Sequence, residues 1–428
     1  MKIPIITIIL FISLSALFAQ QSDKNDYITY YNNSEYKKAL QILKGEINLI
    51  YSKRVHDKRV PLDVIAIKKI EEGMDLNELF RTRRAKMFFI EKNDRLFQLH
   101  LYSARCHSKL SEYSTALNHY YQALRFKSIE FNKDDVIFYE ISQVYRNNNH
   151  YKAYLDSLET AYTLKPSNFN YSLELGKALY GTGENKKAIY HLERYIQSMG
   201  DTAIDLKLYL MIANLNEDIG RYLETVKYYK KYITQKDDDG YIFFALGYLA
   251  YKRIGDFNLA MECFNRSLEF LPENSVFRRS KANEYKGNIY MKELEFEEAA
   301  GYYLETIKYQ DMIKSKMEQS AKEAQNIENR INNIKSLIIK TRENDKYEEY
   351  NLLREKKGEI ELANREIEYQ YKKLNAGKVR WNLARIYENV GNLNDAIKFY
   401  RDAVSLNYNS EAARERIKKI QLKIKRGY

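Results

Sequence analysis

The sequence has 428 residues, of which 45% are hydrophobic and 30% are charged, and it contains 4 prolines and 16 glycines. This length exceeds one small domain, and the scarcity of proline and glycine favours an ordered helical chain built as several domains or as a repeat array. The formal net charge is +12, but acidic and basic residues are interspersed along most of the chain, which is more typical of a solvated helical surface than of a nucleic-acid site.

The N-terminus has the layout of a secretory signal peptide. Lys2 precedes an uncharged, mostly apolar run at residues 3–18, and the small Ala19 and polar residues follow. Cleavage is expected after Ala19, with Ala16 as the alternative. An uncleaved anchor is also left open, although about sixteen apolar residues fall short of a usual transmembrane span. We expect an exported, soluble chain in the periplasm or cell envelope, with no nucleic-acid partner and at most a peripheral contact with the membrane.

The two cysteines could form a disulfide, and the histidines near Cys106 could form a metal site. Cys106 and Cys263 each lie inside a helical pattern, so free buried thiols are favoured over a disulfide. His100 and His107 lie two helical turns apart, about 10 Å along the axis, which is too far for one zinc ion to reach both unaided. With the nearby His119 they are interpreted as packing residues, and no metal and no cofactor is expected.

A pattern of small and large residues recurs along the chain. Near the C-terminus, Leu383 and Ala384 are followed by Gly391, Ala396 and Tyr400. Comparable series begin upstream at Ala104, Ile141, Leu175, Ile212, Leu246 and Gly287. The interval from Ile141 to Leu175 is 34 residues, and so is the interval from Ile212 to Leu246. Each copy predicts two amphipathic helices whose small residues let them approach closely.

This period of helix–turn–helix units resembles the tetratricopeptide repeat (TPR) family. The resemblance covers most of residues 96–274, and then residues 283–309 and 378–409. It implies an all-α fold in which the repeats stack as a right-handed α-solenoid with a concave inner groove. The family binds many unrelated protein partners, so the resemblance implies a binding protein without identifying the partner.

A different pattern interrupts the repeats after residue 310. Apolar residues alternate three and four positions apart from Ala324 to Ile338, and others recur every seven residues from Leu353 to Leu374. Two such seams on either side of a polar break predict an inserted antiparallel coiled-coil hairpin that projects from the solenoid. The alternative is a longer solvated helix pair that folds against its own repeats.

The predicted organisation has six parts. They are a signal peptide at residues 1–19, an N-terminal helical region with a degenerate repeat at 20–94, a TPR array at 95–310, the hairpin at 311–376, a last TPR at 377–409 and a capping helix at 410–428. In the copy that begins at Leu246, the turn glycine Gly255 arrives late, so the first helix of that copy is expected to be one residue longer.

No catalytic motif stands out, and we expect a protein that is not an enzyme. The stretch at 181–187 has a superficial likeness to a phosphate-binding loop, but it lacks the P-loop spacing and coincides with a turn between helices. The HExxH and GxSxG motifs do not occur. The carboxylate clamp of chaperone-binding members of the family is absent from the corresponding positions, so that activity is not inferred.

The candidate functional site is the inner face of the array. Its candidate residues combine aromatic, amide and basic side chains, and they are Tyr139, Gln143, Arg146, Lys177, Tyr180, Asn214, Tyr248, Asn288, Trp381 and Arg385. Such a surface suits an extended or helical peptide that carries acidic groups, with the aromatic residues as anchors. The alternative is that some tyrosines line any such face without binding a partner.

Trp381, the single tryptophan, is offset from the family pattern. The family has a Trp three residues before the Leu of the repeat, whereas Trp381 lies two residues before Leu383 and Arg380 occupies the usual place. One residue corresponds to a rotation of about 100° around the helix axis. We expect Trp381 to be partly buried, either toward the groove beside Arg385 or against the base of the hairpin.

These observations favour a non-catalytic scaffold or adaptor of the periplasm or cell envelope. It would hold one protein partner in the groove and a second one on the hairpin, for example in a secretion, outer-membrane or flagellar-collar-type assembly, by analogy of fold alone. The alternative is a binder of cell-wall glycan or anionic lipid through basic residues such as Arg81, Arg83, Arg84 and Lys86. An enzyme with an unrecognised site is the third hypothesis.

Overall fold

The computed structural model describes residues 26–55, 83–126, 134–200, 204–341 and 344–426. The predicted signal peptide lies outside these residues. Within them the secondary structure is helical, without a strand, and the helices follow one another in pairs. The all-α class built from helix–turn–helix repeats is therefore confirmed. The chain divides into two compact units, unit 1 (Met1–Ile204) and unit 2 (Asp205–Tyr428).

Unit 1 is a succession of paired helices. They are α1 Asp26–Asn32, α2 Tyr36–Val55, α3 Arg83–Lys109, α4 Tyr113–Arg125, α5 Asp134–Asn147, α6 Tyr151–Leu164, α7 Phe169–Leu179 and α8 Asn185–Met199. Helix α3 packs on α4, α5 on α6 and α7 on α8, and α2 lies against α3. The core of α3–α5 forms around Ala104, Ala116 and Ile141, which are fully buried.

Unit 2 continues the same arrangement and adds two long helices. Its helices are α9 Leu206–Asp218, α10 Tyr222–Gln235, α11 Gly240–Leu249, α12 Phe257–Phe270, α13 Val276–Glu293, α14 Phe296–Thr341, α15 Asn344–Lys373, α16 Ala376–Asn389, α17 Leu393–Ser405 and α18 Ser410–Lys425. The pairs are α9 with α10, α11 with α12, α13 with α14, and α16 with α17. Helix α18 packs on α17 through Ala413 and Ile420, its two buried residues.

Each pair closes where a small residue of the first helix meets a large residue of the second. A Cβ atom built on Gly176 would lie 2.7 Å from Leu192 Cγ, and one built on Gly247 would lie 2.9 Å from Phe264 Cδ1. Side chains do not approach that closely, so only glycine permits this spacing of the two helices. The expected small residues of the second helices, Ala188, Ala260, Ala299 and Ala396, are 0% exposed.

A second close contact joins the start of a pair to its end. A Cβ atom on Gly240 would lie 2.5 Å from the backbone nitrogen of Leu271, and one on Gly377 would lie 2.4 Å from Tyr408 Cβ. Both glycines stand seven residues before the small residue of their first helix. The backbone of the first helix therefore begins directly against the chain that leaves the second helix.

The extra residue before Gly255 is accommodated by a local change of helix type. Residues Ala250–Ile254 form a π-helical turn at the end of α11, and the Gly255 N–H donates to Ala250 O at 2.8 Å. Gly255 then adopts a positive φ of 83°, which glycine reaches without steric cost. A π-turn absorbs one additional residue without shifting the helix that follows, so Ala260 and Phe264 keep their buried positions.

Helices α14 and α15 pack against each other as a hairpin. Their contact contains Ile327, Ile331, Ile334, Ile338 and Leu353, all nearly buried, with Tyr350 and Ile360 packed at the side. These residues belong to the two apolar seams in the sequence. Ion pairs flank the seam, and Lys357 reaches Glu328 on the opposite helix at 2.5 Å. The buried stripe is narrow, which leaves most other faces of the hairpin in solvent.

The first leg of the hairpin is continuous with a repeat. Helix α14 begins as the partner of α13, with Ala299 and Tyr303 fully buried, and extends without a break to Thr341. Residue 310, the predicted end of the array, lies inside this helix. The hairpin therefore inherits its direction from the repeat, because no hinge or loop separates the two.

The glycine contacts make a prediction with a matched control. Gly240→Ala places a Cβ against backbone atoms of Phe270 and Leu271, so we expect the free energy of unfolding of unit 2 to fall by about 1–3 kcal/mol. A Cβ atom on Gly301, in helix α14, would have no neighbour within 4 Å. Gly301→Ala should therefore raise the free energy of unfolding by about 0.5–1 kcal/mol. Urea denaturation of the two variants measures both changes, and equal effects of the same sign would contradict the close-contact interpretation.

Candidate functional site

In unit 1, two of the candidate residues on the inner face contact side chains of the neighbouring helix pair. The Tyr139 ring lies 5.3 Å from that of Tyr171, and Arg146 Nη1 lies 3.5 Å from Glu174 Oε2. These contacts join α5 to α7 across neighbouring pairs. Arg146, Lys177 and Tyr180 are exposed, and they are the unit 1 candidates that a partner can reach.

The amide candidates of unit 2 serve a structural role as well. Tyr229 Oη donates to Asn214 Oδ1 at 3.2 Å, and Tyr303 Oη donates to Asn288 Oδ1 at 2.7 Å. In both pairs the tyrosine follows the asparagine by fifteen residues, so the same bond ties the second helix to the first. Each asparagine keeps its amide N–H₂ group as a possible donor to a ligand.

Tyr248 lies above a buried polar pair. Its ring is 5.8 Å from that of Tyr285, and Lys281 Nζ, which lies 6.0 Å from the centre of the Tyr285 ring, donates to Glu284 Oε2 at 2.8 Å. Both charged side chains are nearly excluded from solvent, and such a pair is costly to break because either partner alone would be an uncompensated buried charge. The Tyr285 ring that contacts Tyr248 is therefore supported by an ion pair that holds one arrangement.

One position of the repeat gives accessible residues within each unit, and these residues are defined here as the inner row. In the six copies from Ile141 onward, it is the residue that follows the small residue of the first helix, namely Gln143, Lys177, Asn214, Tyr248, Asn288 and Arg385. None of the six is buried, and Lys177, Asn214 and Arg385 are exposed. The row contains amides, cations and one tyrosine, and it contains no carboxylate. All six were among the residues expected from the sequence.

The structure separates the roles of Trp381 and its neighbour. Trp381 is half-buried, and its ring lies 5.1 Å from that of Tyr400 and 6.4 Å from that of Tyr408. Its ring contacts thus belong to its own repeat. Arg380, in the place where the family has the Trp, is the residue that reaches the base of the hairpin.

Arg380 closes the hairpin through a buried polar network. Its Nη1 donates to Gln310 Oε1 at 2.8 Å, and its Nη2 donates to Asp311 Oδ1 at 2.8 Å. Gln310, which is 0% exposed, donates from Nε2 to Leu374 O at 3.3 Å. The first leg, the end of the second leg and helix α16 therefore meet at one buried amide. An arginine in a packing position was the available signal for this role.

His100, His107 and His119, which lie close in the sequence, also come together in the fold. The Nδ1 atoms of His100 and His119 lie 2.9 Å apart, and the His107 ring stacks on that of His119 at 5.3 Å. Burial, with the neighbouring histidine as a smaller cause, lowers the pKa of His100 and of His119 to about 4. Within the described part of the chain, no group of three or more His, Cys, Asp or Glu side chains could hold a metal ion.

Both cysteines are free and buried. Burial raises the pKa of the Cys106 thiol and of the Cys263 thiol to about 12. A thiol that remains protonated at neutral pH is a poor nucleophile and behaves as a small apolar side chain. Both thiols therefore lie among core residues, as the sequence predicted.

Among the comparisons with known proteins, a family model matches two of the helix pairs. The family model described as Tetratricopeptide repeat matches residues 241–274 and 377–410. No curated protein matches the sequence. Similar solved structures include the C-terminal part of a TPR repeat-containing protein from Cytophaga hutchinsonii, with 12% identity over 67% of this chain and 95% of that chain and a TM-score of 0.39.

Two further solved structures are similar to part of this chain. MamA from Desulfovibrio magneticus RS-1 is 18% identical over 42% of this chain and 96% of that chain, with a TM-score of 0.32. YrrB, described as a TPR protein with an unusual peptide-binding site, is 16% identical over 43% of this chain and 90% of that chain, with a TM-score of 0.34.

The buried arginine makes the second prediction. Arg380→Ala leaves the buried Gln310 oxygen without its donor, so we expect the free energy of unfolding of unit 2 to fall by about 2–3 kcal/mol. Hydrogen exchange at the base of the hairpin, near Gln310 and Leu374, should accelerate. Arg385→Ala, an exposed arginine on the same helix, should change stability by less than about 0.5 kcal/mol. Unchanged exchange in Arg380→Ala would show that the network does not hold the hairpin.

The histidine pair makes the third prediction. Because the folded pKa values of about 4 lie below the ordinary value of 6.5, the stabilisation is complete above pH 6.5 and is lost as pH falls toward 4. His119→Gln removes one titrating group, so the loss of stability between pH 7 and pH 4.5 should shrink by about 1–2 kcal/mol. Urea denaturation of the full chain between pH 7 and pH 4.5 measures the loss of stability in wild type and variant. The exposed His150→Gln is the control, and identical pH profiles for wild type and His119→Gln would contradict the prediction.

Proposed function

We propose that the chain is a tetratricopeptide repeat protein and a non-catalytic scaffold that binds a protein partner through the inner row in the periplasm or cell envelope. The observation that carries the proposal is the accessibility of the row together with its composition. Protein–protein interaction is the general role of the fold. We further propose that the inner row is the binding surface, that the chain resides in the periplasm or cell envelope, and that it has no catalytic activity.

The composition of the inner row favours a partner with acidic groups. Lys177 and Arg385 supply exposed cations, and the amides of Asn214 and Asn288 can bond to the backbone of an extended segment. The absence of a carboxylate from the row removes a source of repulsion toward an acidic peptide. Tyr180, at 41% exposure, adds an aromatic ring with a polar tip, a residue type that is enriched at interfaces.

Rigid support under the row favours recognition by a preformed surface. The bonds from Tyr229 and Tyr303 fix the two asparagines from below, and the Tyr285 ring with its buried ion pair supports Tyr248. A side chain that is already held loses less conformational entropy when a partner binds. The row is therefore suited to binding without a large rearrangement within either unit.

The proposed location rests on the N-terminal sequence. Among the helices that the structure describes, none combines the length and apolar character needed to cross a membrane. The apolar run at residues 3–18 has the layout of a signal peptide, which supports export of the chain. The assembly that the scaffold serves, whether for secretion, outer-membrane biogenesis or a flagellar collar, is proposed by fold analogy.

Site-specific photo-crosslinking in cells of the source organism tests the proposal. A photoreactive residue at Lys177 or Arg385 should yield adducts with a discrete protein. The matched positions Lys186 and Lys398, exposed on the second helices of their repeats, should yield few or none. Adducts at all four positions alike, or protein adducts at none, would contradict binding through the row. Envelope association that is released by salt in the absence of protein adducts would favour the binder of glycan or anionic lipid.

A further inference from the structure

A cleft lies where the hairpin leaves the repeat in unit 2. Its volume is ≈ 490 Å³, and its walls are the start of α11, the start of α13, and the lower parts of α14 and α15. This size falls within the range of about 300–1,000 Å³ that is usual for ligand pockets. The cleft is separate from the inner row, since its lining contains none of the six row residues.

The apolar part of the lining, called the floor here, comes from three helices. Phe277 comes from α13, Met312 and Ile313 from α14, and Ile367 from α15. Met312 is 48% exposed, although it stands beside the buried Ile313. Burial of a bulky apolar side chain against this floor would contribute about 1.5–3 kcal/mol.

The rim of the cleft is basic. Arg278 and Lys316 line it from different helices, and the lining contains no aspartate or glutamate. Within the described residues neither cation has a carboxylate partner, whereas Lys308 and Lys314 on the same helix as Lys316 pair with Glu305 and Glu318. The rim therefore has two positive charges without internal compensation.

The position of one of these charges is fixed. The Arg278 guanidinium lies 4.8 Å from the centre of the Tyr241 ring, and Tyr241 Oη lies 3.0 Å from Ser275 Oγ. Stacking on the ring uses the face of the guanidinium and leaves its N–H groups available to a carboxylate. Asn274 and Gln370, also in the lining, offer amide groups that can pair with the backbone of an extended segment.

We propose that this cleft at the root of the hairpin binds an acidic segment of a partner protein, with a bulky apolar residue on the floor and adjacent carboxylates on Arg278 and Lys316. The complementarity is specific in sign, because an apolar segment with basic neighbours would meet two unpaired cations. The cleft shares no lining residue with the inner row. One chain could therefore hold two partners, or two segments of one partner, at the two sites.

Differential peptide selection tests the proposal. Random peptides displayed on phage are selected on the full chain, and binders of the double variant Arg278→Glu/Lys316→Glu are subtracted. Both substituted residues are exposed, so the variant should fold, and an unchanged melting temperature checks this. The enriched peptides should contain a bulky apolar residue next to aspartate or glutamate. A synthesised consensus peptide should bind the variant about tenfold more weakly or worse, because charge-assisted bonds are lost.

Two comparisons complete the test. The consensus peptide should bind Lys177→Glu/Arg385→Glu as it binds the wild type, which separates this cleft from the inner row. Replacing its acidic residues by amides should weaken it as the double variant does. Equal enrichment on wild type and double variant, or enriched peptides without acidic residues, would overturn the proposal. A third result would also overturn it. If no peptide is enriched, while laurate binds the wild type stoichiometrically and does not bind the double variant, the cleft is a site for a small anionic amphiphile.

Discussion

The contact of a small residue with a bulky one inside each helix pair is the constraint on which the rest of the structure depends. Because Gly176 and Gly247 have no Cβ, Leu192 and Phe264 can bring the second helix directly against the first. This contact fixes which face of the first helix is buried. In the six repeats of the inner row, the next residue in the sequence lies about 100° further around the helix and is left accessible. The accessibility of the inner row follows from the packing, whereas the packing does not constrain which residue types occupy the row.

The hairpin depends on a different kind of interaction. Its tip region is held by isoleucines, whereas its base is held by Gln310, which bonds to both Leu374 and Arg380. A buried polar network is stable only when all of its members are satisfied, so the two legs and helix α16 must be placed together. Arg380 and the inner-row residue Arg385 lie on that same helix, and the hairpin is thereby connected to the last part of the candidate site.

The sequence predicted what depends on local periodicity. The interval of 34 residues gave the helix pairs, and the three-and-four spacing around Ile331 gave the apolar contact of the hairpin. Periodicity says which face is buried but not which distant residue meets it. The bond between Arg380 and Gln310 joins residues 70 positions apart, and the close approach of His100 to His119 depends on two helices whose relative rotation the pattern leaves open. The Asn–Tyr bonds under the inner row were missed for the same reason, although their constant spacing was a usable signal.

The central claim is that the accessible inner row is the surface that binds a protein partner. The most direct measurement is the affinity of the purified partner for the wild-type chain and for Lys177→Glu/Arg385→Glu, by calorimetric titration at low and high salt. We predict that the variant binds about tenfold more weakly or worse at low salt with an unchanged melting temperature, and that the difference narrows as salt screens the charges. Equal affinity of the two proteins at low salt would contradict the claim.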